Sequence, residues 1–145
     1  MPKQEIREFE WEYFFLNNFY EIPIEYEGMT YWSVEAAFQA AKCIDMNARK
    51  IFQTMTPVQA KTHGRQVSLR SDWEDVKLQV MTDILKSKFN NKILREKLIS
   101  TGSAVLIEGN NVNDRFRGVD LKSGEGENHV GKILMKLREE MLNKA

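Results

Sequence analysis

Ser33-Val34-Glu35-Ala36-Ala37-Phe38-Gln39-Ala40-Ala41-Lys42 is an Ala-rich, apolar segment carrying one carboxylate, one carboxamide and one ammonium. Ser33 is suited to cap the start of a helix. Glu35, Gln39 and Lys42 are four and three residues apart, which predicts all three on one helix face. Val34, Ala37, Phe38 and Ala41 predict that most of this helix is buried. A carboxylate among apolar neighbours costs free energy unless it is paired, and its pKa tends to rise. Such groups are over-represented in active sites. The other reading, in which Glu35 and Lys42 are ordinary helix charges reaching solvent, stands beside it.

On the N-terminal side the sequence is aromatic and β-like. Glu8-Phe9-Glu10-Trp11 alternates, five aromatic residues fall between Tyr13 and Tyr20, and Asn17-Asn18 reads as a loop. Ile22 to Tyr26 alternates again, and Glu27-Gly28 before Met29-Thr30-Tyr31-Trp32 predicts a hairpin turn. On the C-terminal side, helices are expected over 47–55 and, from a Thr56-Pro57 start, to Gly64. Ser71-Asp72-Trp73-Glu74 reads as a capping box opening the longest helix. Asn90-Asn91 interrupts it, and a helix over 92–100 ends at Gly102. Ala104 to Glu108 reads as a buried strand. Residues 109–127, rich in Gly, Asn and Asp, read as a functional loop. His129 to Leu142 closes the chain with an amphipathic helix.

The 145 residues suit one domain, with 42% hydrophobic and 29% charged residues, the profile of a soluble globular protein. Lys plus Arg and Asp plus Glu are 21 each, so no global field draws the chain to nucleic acid or anionic membrane. Cys43 is the single cysteine, which excludes an internal disulfide framework, and His63 and His129 are too few for a His-based zinc site. No apolar run is long enough to span a bilayer, and the N-terminus has no apolar leader. A cytoplasmic protein is expected.

Two further constellations bear on chemistry. The loop offers Glu108, Asn110, Asp114, Arg115, Arg117, Asp120 and Asn128 among glycines, at the entry to the last helix. Backbone N–H groups there could approach an anion, although the glycine spacing is neither a Walker loop nor a dinucleotide fingerprint. A solvated surface loop is the competing reading. His63, Arg65 and Arg70 form a basic cluster that reads either as helix-end charge or as a phosphate clamp.

These residues together resemble the NADAR, or YbiA-like, family. The resemblance rests on Phe15-Leu16-Asn17-Asn18-Phe19-Tyr20, Gly28, Tyr31, Glu35 and Phe38-Gln39-Ala40-Ala41-Lys42. It continues through Gly64-Arg65, Arg70, Asp72-Trp73, Lys77, Met81, Lys88-Phe89 and Thr101-Gly102. Glu108, Asp114, Gly118, Gly126, Asn128, Gly131, Leu134, Met135 and Arg138 complete it, in order from about Phe9 onward. The resemblance implies an α+β fold, mainly helical and compact, with a small antiparallel β element, as a single domain over 1–145. It implies an N-glycosidase acting on ribosyl compounds. The substrates would be phosphorylated ribosyl intermediates of riboflavin synthesis, or ADP-ribose on a base such as guanine in nucleic acid. Three positions depart from the family. Ala36 stands where His is commonest, and Val112 and Arg117 stand where Trp is common.

Cleaving a bond between ribose C1′ and nitrogen passes through an oxocarbenium-like cation, which calls for nearby carboxylates. On this resemblance Glu35 is expected to stabilise the cation or activate water, with Asp114 as second carboxylate. Gln39 and Asn128 would hold ribose hydroxyls, and Lys42, Arg65 and Arg70 would neutralise phosphate. Asn18 and Phe19 would line the sugar pocket, while Arg117 and Gly118 would contact the base or phosphate. The scheme calls for no metal or cofactor. The alternative is a module that binds ADP-ribose or a nucleotide without cutting it.

Overall fold

A computed structural model describes residues 4–144. The first three residues, where the sequence expectation places the start of a chain without an apolar leader, and Ala145 lie outside the described residues. The chain divides into two compact units. Asn18–Asn90 forms one, and the flanking stretches, up to Asn17 and from Asn91, form the other. Each is mainly helical with short β pairs.

In the central unit, β2 (Glu21–Tyr26) and β3 (Met29–Ser33) pair antiparallel. Glu27 and Gly28, the turn residues, both have positive φ (47° and 81°), which matches the right-handed strand twist of a type I′ hairpin. Between Glu21 and Ile24 the register shifts by one extra residue, and Pro23, which has no N–H to donate, falls in that bulge. Ser33 ends β3 and caps α1 (Val34–Ala40): its Oγ accepts the Ala36 N–H at 3.0 Å. Strand therefore passes into helix with no loop between them.

All seven residues of α1 are buried. The helix stops at Ala40, and Lys42 lies in the turn beyond it, its N–H on the Gln39 carbonyl at 3.2 Å. The expected three-residue face is thus a two-residue face, Glu35 and Gln39. Asp45 caps α2 (Met46–Ile51), and a 3-10 turn over Phe52–Thr54 takes the remainder of the helix expected over 47–55. Arg49 in α2 is buried and donates to the Cys43 carbonyl (2.8 Å) and to Glu27 at the hairpin tip (2.9 Å). Thr56 and Gln59 form a reciprocal capping box at the start of α3 (Pro57–His63), which ends at Gly64 as its sequence predicts.

The capping box expected at Ser71 and Glu74 is not formed. The helix α4 (Trp73–Lys88) starts after Asp72, which makes no side-chain cap. The Asp72 carboxylate is instead taken by Arg70, at 2.6 and 3.0 Å, and Glu74 pairs with Lys77. A charge-assisted bidentate bond outcompetes a neutral cap. The buried stripe of α4 is Trp73, Val80, Met81, Ile84, Leu85 and Lys88, and it packs against β2 and α1. Burial of each apolar member stabilises the fold by about 1.5–3 kcal/mol.

In the other unit, β1 (Glu5–Ile6) pairs parallel with β4 (Val105–Leu106). The expected strand over 104–108 is thereby cut to two residues. The β-like reading of 8–20 also fails beyond β1: Trp11–Leu16 is a 3-10 helix. Alternation over four residues does not make a strand when no partner strand lies alongside. Asn91 caps α5 (Lys92–Ser100), its Oδ1 accepting the Leu94 N–H at 3.1 Å. The loop over 109–127 contains a second parallel pair, β5 (Gly109–Asn110) with β6 (Val119–Asp120). The last helix, α6 (His129–Asn143), packs on α5 and β4. Its Arg138 is buried and ties the end of α5 to the next strand through Thr101 Oγ and the Ala104 carbonyl, both at 2.8 Å.

Lys88 occupies a position in the apolar stripe of α4, one turn after Ile84, and is 1% exposed. Its Nζ lies 5.5 Å from the Tyr20 ring centre and 5.3 Å from that of Phe89. Burial pushes its pKa down from 10.5 to about 7. Between those values the unfolded chain holds a proton that the folded chain has released. This group's contribution to stability therefore rises with pH from about 7 to 10.5, by at most about 1.4 kcal/mol per unit, and its penalty is fully present below 7. Lys88→Met is expected to melt above the parent at pH 6.5, with the gap closing toward pH 9. Melting curves with a pH-independent gap would rule out a buried, titrating ammonium.

Candidate active site

The central unit holds the first cluster. Glu35 lies in the first turn of α1 and is 0% exposed. Gln39, one turn on, donates its Nε2 to Glu35 Oε2 at 3.1 Å. The Glu35 N–H donates to the Asn18 carbonyl at 3.0 Å, which ties the loop before β2 to the helix start. The Asn18 Nδ2 points to Met81 Sδ of α4 at 3.8 Å. Both carboxamides thus spend their NH₂ groups. Asn18 Oδ1 and Gln39 Oε1 are buried and accept no hydrogen bond from any described residue. Each unmet acceptor costs about 1–3 kcal/mol.

The structure therefore brings Asn18, Glu35 and Gln39 together. Phe19, next in the chain, is half-buried, with Lys61 Nζ 5.8 Å from its ring centre. Lys42 is half-buried and Arg65 is exposed. Arg70 joins Lys42 through the backbone, its N–H on the Lys42 carbonyl at 2.9 Å. Its guanidinium is held by Asp72 and reaches the Ala41 carbonyl at 3.4 Å. The Asp72 hydrogen bond raises the Arg70 pKa and lowers that of Asp72. A phosphate at Arg70 would have to share or displace this carboxylate. His63 stacks on Phe52, with ring centres 5.1 Å apart.

The second cluster belongs to the other unit. Asp114 Oδ1 accepts the Arg117 N–H at 2.9 Å, and Arg117 Nε lies 3.7 Å from Oδ2. Asn110 Oδ1 accepts the N–H groups of Val112 and Asp114, and its Nδ2 donates to the Asp114 carbonyl. This knots the loop around Asp114. Asn128, buried with φ of 53°, accepts the Glu108 N–H through Oδ1 and donates Nδ2 to the Leu106 carbonyl, both at 2.9 Å. Its carboxamide is thus committed to the end of β4. At Gly118 a Cβ would overlap the Glu108 carbonyl and carboxylate oxygens. Asn128 and Gly118 together fix Glu108, which sequence reasoning counted among the loop carboxylates without giving it a role.

Of the departures from the family pattern, Ala36 is completely buried, Val112 is exposed and Arg117 is half-buried beside Asp114. Among the described residues no group of three His, Cys, Asp or Glu side chains could hold a metal ion, and no helix is long and apolar enough to cross a membrane.

Comparison with known proteins agrees with this architecture. The NADAR domain model matches residues 6–142, across both units. The N-glycosidase YbiA of Escherichia coli is 40% identical over 129 residues, which cover 86% of this chain and 79% of that protein. A riboflavin biosynthesis protein of Vibrio vulnificus is 36% identical over 131 residues, covering 88% of this chain and 35% of that larger protein. The NMR structure of E. coli YbiA superposes with a TM-score of 0.85, at 34% identity, over 98% of this chain and 88% of the other. The mixed, mainly helical α+β fold is therefore that of YbiA, and this chain belongs to the NADAR family.

Proposed function

We propose that this protein is an N-glycosidase that hydrolyses the bond between C1′ of a phosphorylated ribose and a nitrogen. The observation that carries the reading is the buried trio in the central unit: a carboxylate, Glu35, beside two buried carboxamide oxygens that lack donors among the described residues. Hydroxyl groups of a sugar are donors of the right kind for Asn18 Oδ1 and Gln39 Oε1, and their arrival offsets the cost of leaving those oxygens unmet. The relatives named as N-glycosidases supply the reaction class.

In the reaction the C1′–N bond breaks with its electron pair leaving on nitrogen, and positive charge develops at C1′ and the ring oxygen. Glu35 stabilises that charge and takes the proton of the attacking water as the water oxygen bonds to C1′. The leaving nitrogen takes up a proton, so one water is consumed per bond cut. Gln39 fixes the rotamer of Glu35 through its Nε2. Lys42 and Arg70, joined through the backbone, and Arg65 supply positive charge for the phosphate. Two substrate classes fit this chemistry: phosphorylated ribosyl intermediates of riboflavin synthesis, and ADP-ribose on a base such as guanine.

The test is incubation with both classes and mass detection of the released base or amine. Glu35→Gln is expected to lower kcat at least 10³-fold on whichever class is cut, with an unchanged circular dichroism spectrum. Parental turnover by this variant would remove Glu35 from the mechanism. Tight ADP-ribose binding by calorimetry, with no product over hours, would mark a binding module instead.

Asp114 ranks below Glu35. Its carboxylate is engaged with Arg117, and Asp114→Asn still offers Oδ1 to the Arg117 N–H. This variant is expected to keep at least ten times the kcat of Glu35→Gln. Equal loss in the two variants would make Asp114 a second catalytic carboxylate.

A further inference from the structure

Gly64 closes α3 with φ of −60° and ψ of −19°, ordinary right-handed helical values that any residue adopts. Its backbone gives no reason for glycine. The reason lies in space: a Cβ at position 64 would overlap Gln39 Oε1 and come within 2.7 Å of Gln39 Cδ. Real Cβ atoms do not approach that closely. The Gln39 carboxamide is also confined on its other side, because its Nε2 is bonded to Glu35 Oε2. The end of Gln39 is therefore held between the Glu35 carboxylate and the bare α-carbon of Gly64.

We propose that Gly64 is a positioning residue: its missing side chain is the slot that takes Gln39 Oε1 and so seats the carboxamide with Nε2 on Glu35. The proposal rests on the reading of Glu35 and Gln39 as site residues and adds the element that fixes their geometry. A methyl group at 64 drives the carboxamide out of its slot, so the Nε2 bond to Glu35 is lost and Oε1 is redirected. Glu35 then loses the Nε2 hydrogen bond that helps to hold its rotamer.

A double-mutant cycle between positions 64 and 39 tests this, with three readouts. Gly64→Ala is expected to lower Tm in the parent. In a Gln39→Ala background the same substitution is expected to leave Tm unchanged or raise it, since the clash is gone and alanine restricts the unfolded chain. Equal Tm losses in both backgrounds would mean that Gly64 serves the backbone alone and would overturn the proposal. The Gln39 side-chain amide resonances, identified in ¹⁵N spectra by their loss in Gln39→Ala, are expected to shift in Gly64→Ala. Unmoved resonances would also overturn it. On a turned-over substrate, Gly64→Ala is expected to reduce kcat at least tenfold in the parent and to add no loss in the Gln39→Ala background. Parental kcat in Gly64→Ala would remove the positioning role even if the Tm coupling were present. Should the parent cleave no ribosyl substrate, the proposed reaction fails while the Tm and resonance readouts still decide whether Gly64 seats Gln39.

Discussion

The structure depends on keeping one carboxylate out of water. Glu35 sits in the first turn of a helix buried on every side, where an unpaired charge would cost several kcal/mol. The chain compensates with local devices. Ser33 caps the helix so that its first turn is well formed, and the hairpin delivers Ser33 without an intervening loop. The N-terminal end of the helix dipole favours negative charge in its first turn, where Glu35 lies. Gln39 donates to the carboxylate from one turn away, and the Glu35 N–H fastens Asn18 in place. The alanines at 36, 37, 40 and 41 let neighbouring elements close over the helix. The Ala-rich composition and the buried acid are thus two sides of one arrangement.

Much of this was legible in the sequence where a local rule acts alone. The Ser33 cap, the Glu27-Gly28 turn, the Thr56-Pro57 start, the Asn91 break and the helix over 92–100 all follow from residues within four positions of each other. The misses share a different cause. At Ser71 a cap lost its place because Arg70 and Asp72 satisfied each other first. Over 11–16 an aromatic-rich stretch read as β-like is a 3-10 helix, because strand formation needs a partner the local sequence cannot name. The two parallel pairs, two residues each, join segments about ten and a hundred residues apart and leave no periodic trace. Lys42 missed the expected face by two positions, since the helix ends at Ala40.

The candidate site was legible to the same degree. Glu35 and Gln39 could be found from spacing, and their bond is an i,i+4 contact. Their confinement by Gly64, 25 positions away, could not be read from spacing at all. Arg70 was legible as a cation, but its partner is Asp72, two residues on, so its charge is already partly spent. Lys88 shows the opposite failure. Its spacing puts it on the apolar face of α4, and a reading by periodicity alone passes over it because a lysine is not counted as core.

Carboxamides sort these clusters most sharply. Asn128 uses one bond at each end on the backbone around β4, replacing a strand neighbour. Asn110 likewise closes its own loop. Asn18 and Gln39 each use only the NH₂ end and bury the oxygen without a donor among the described residues. A chain seeking stability alone would replace such a group by an apolar one of the same shape, at little cost or some gain. Gln39 is bonded to the buried Glu35 carboxylate and Asn18 to the Glu35 backbone, and under the proposed function the missing donors are the hydroxyls of the sugar. The same residue type thus ties backbone together where both ends are bonded, and leaves an acceptor open in the proposed site where only one is.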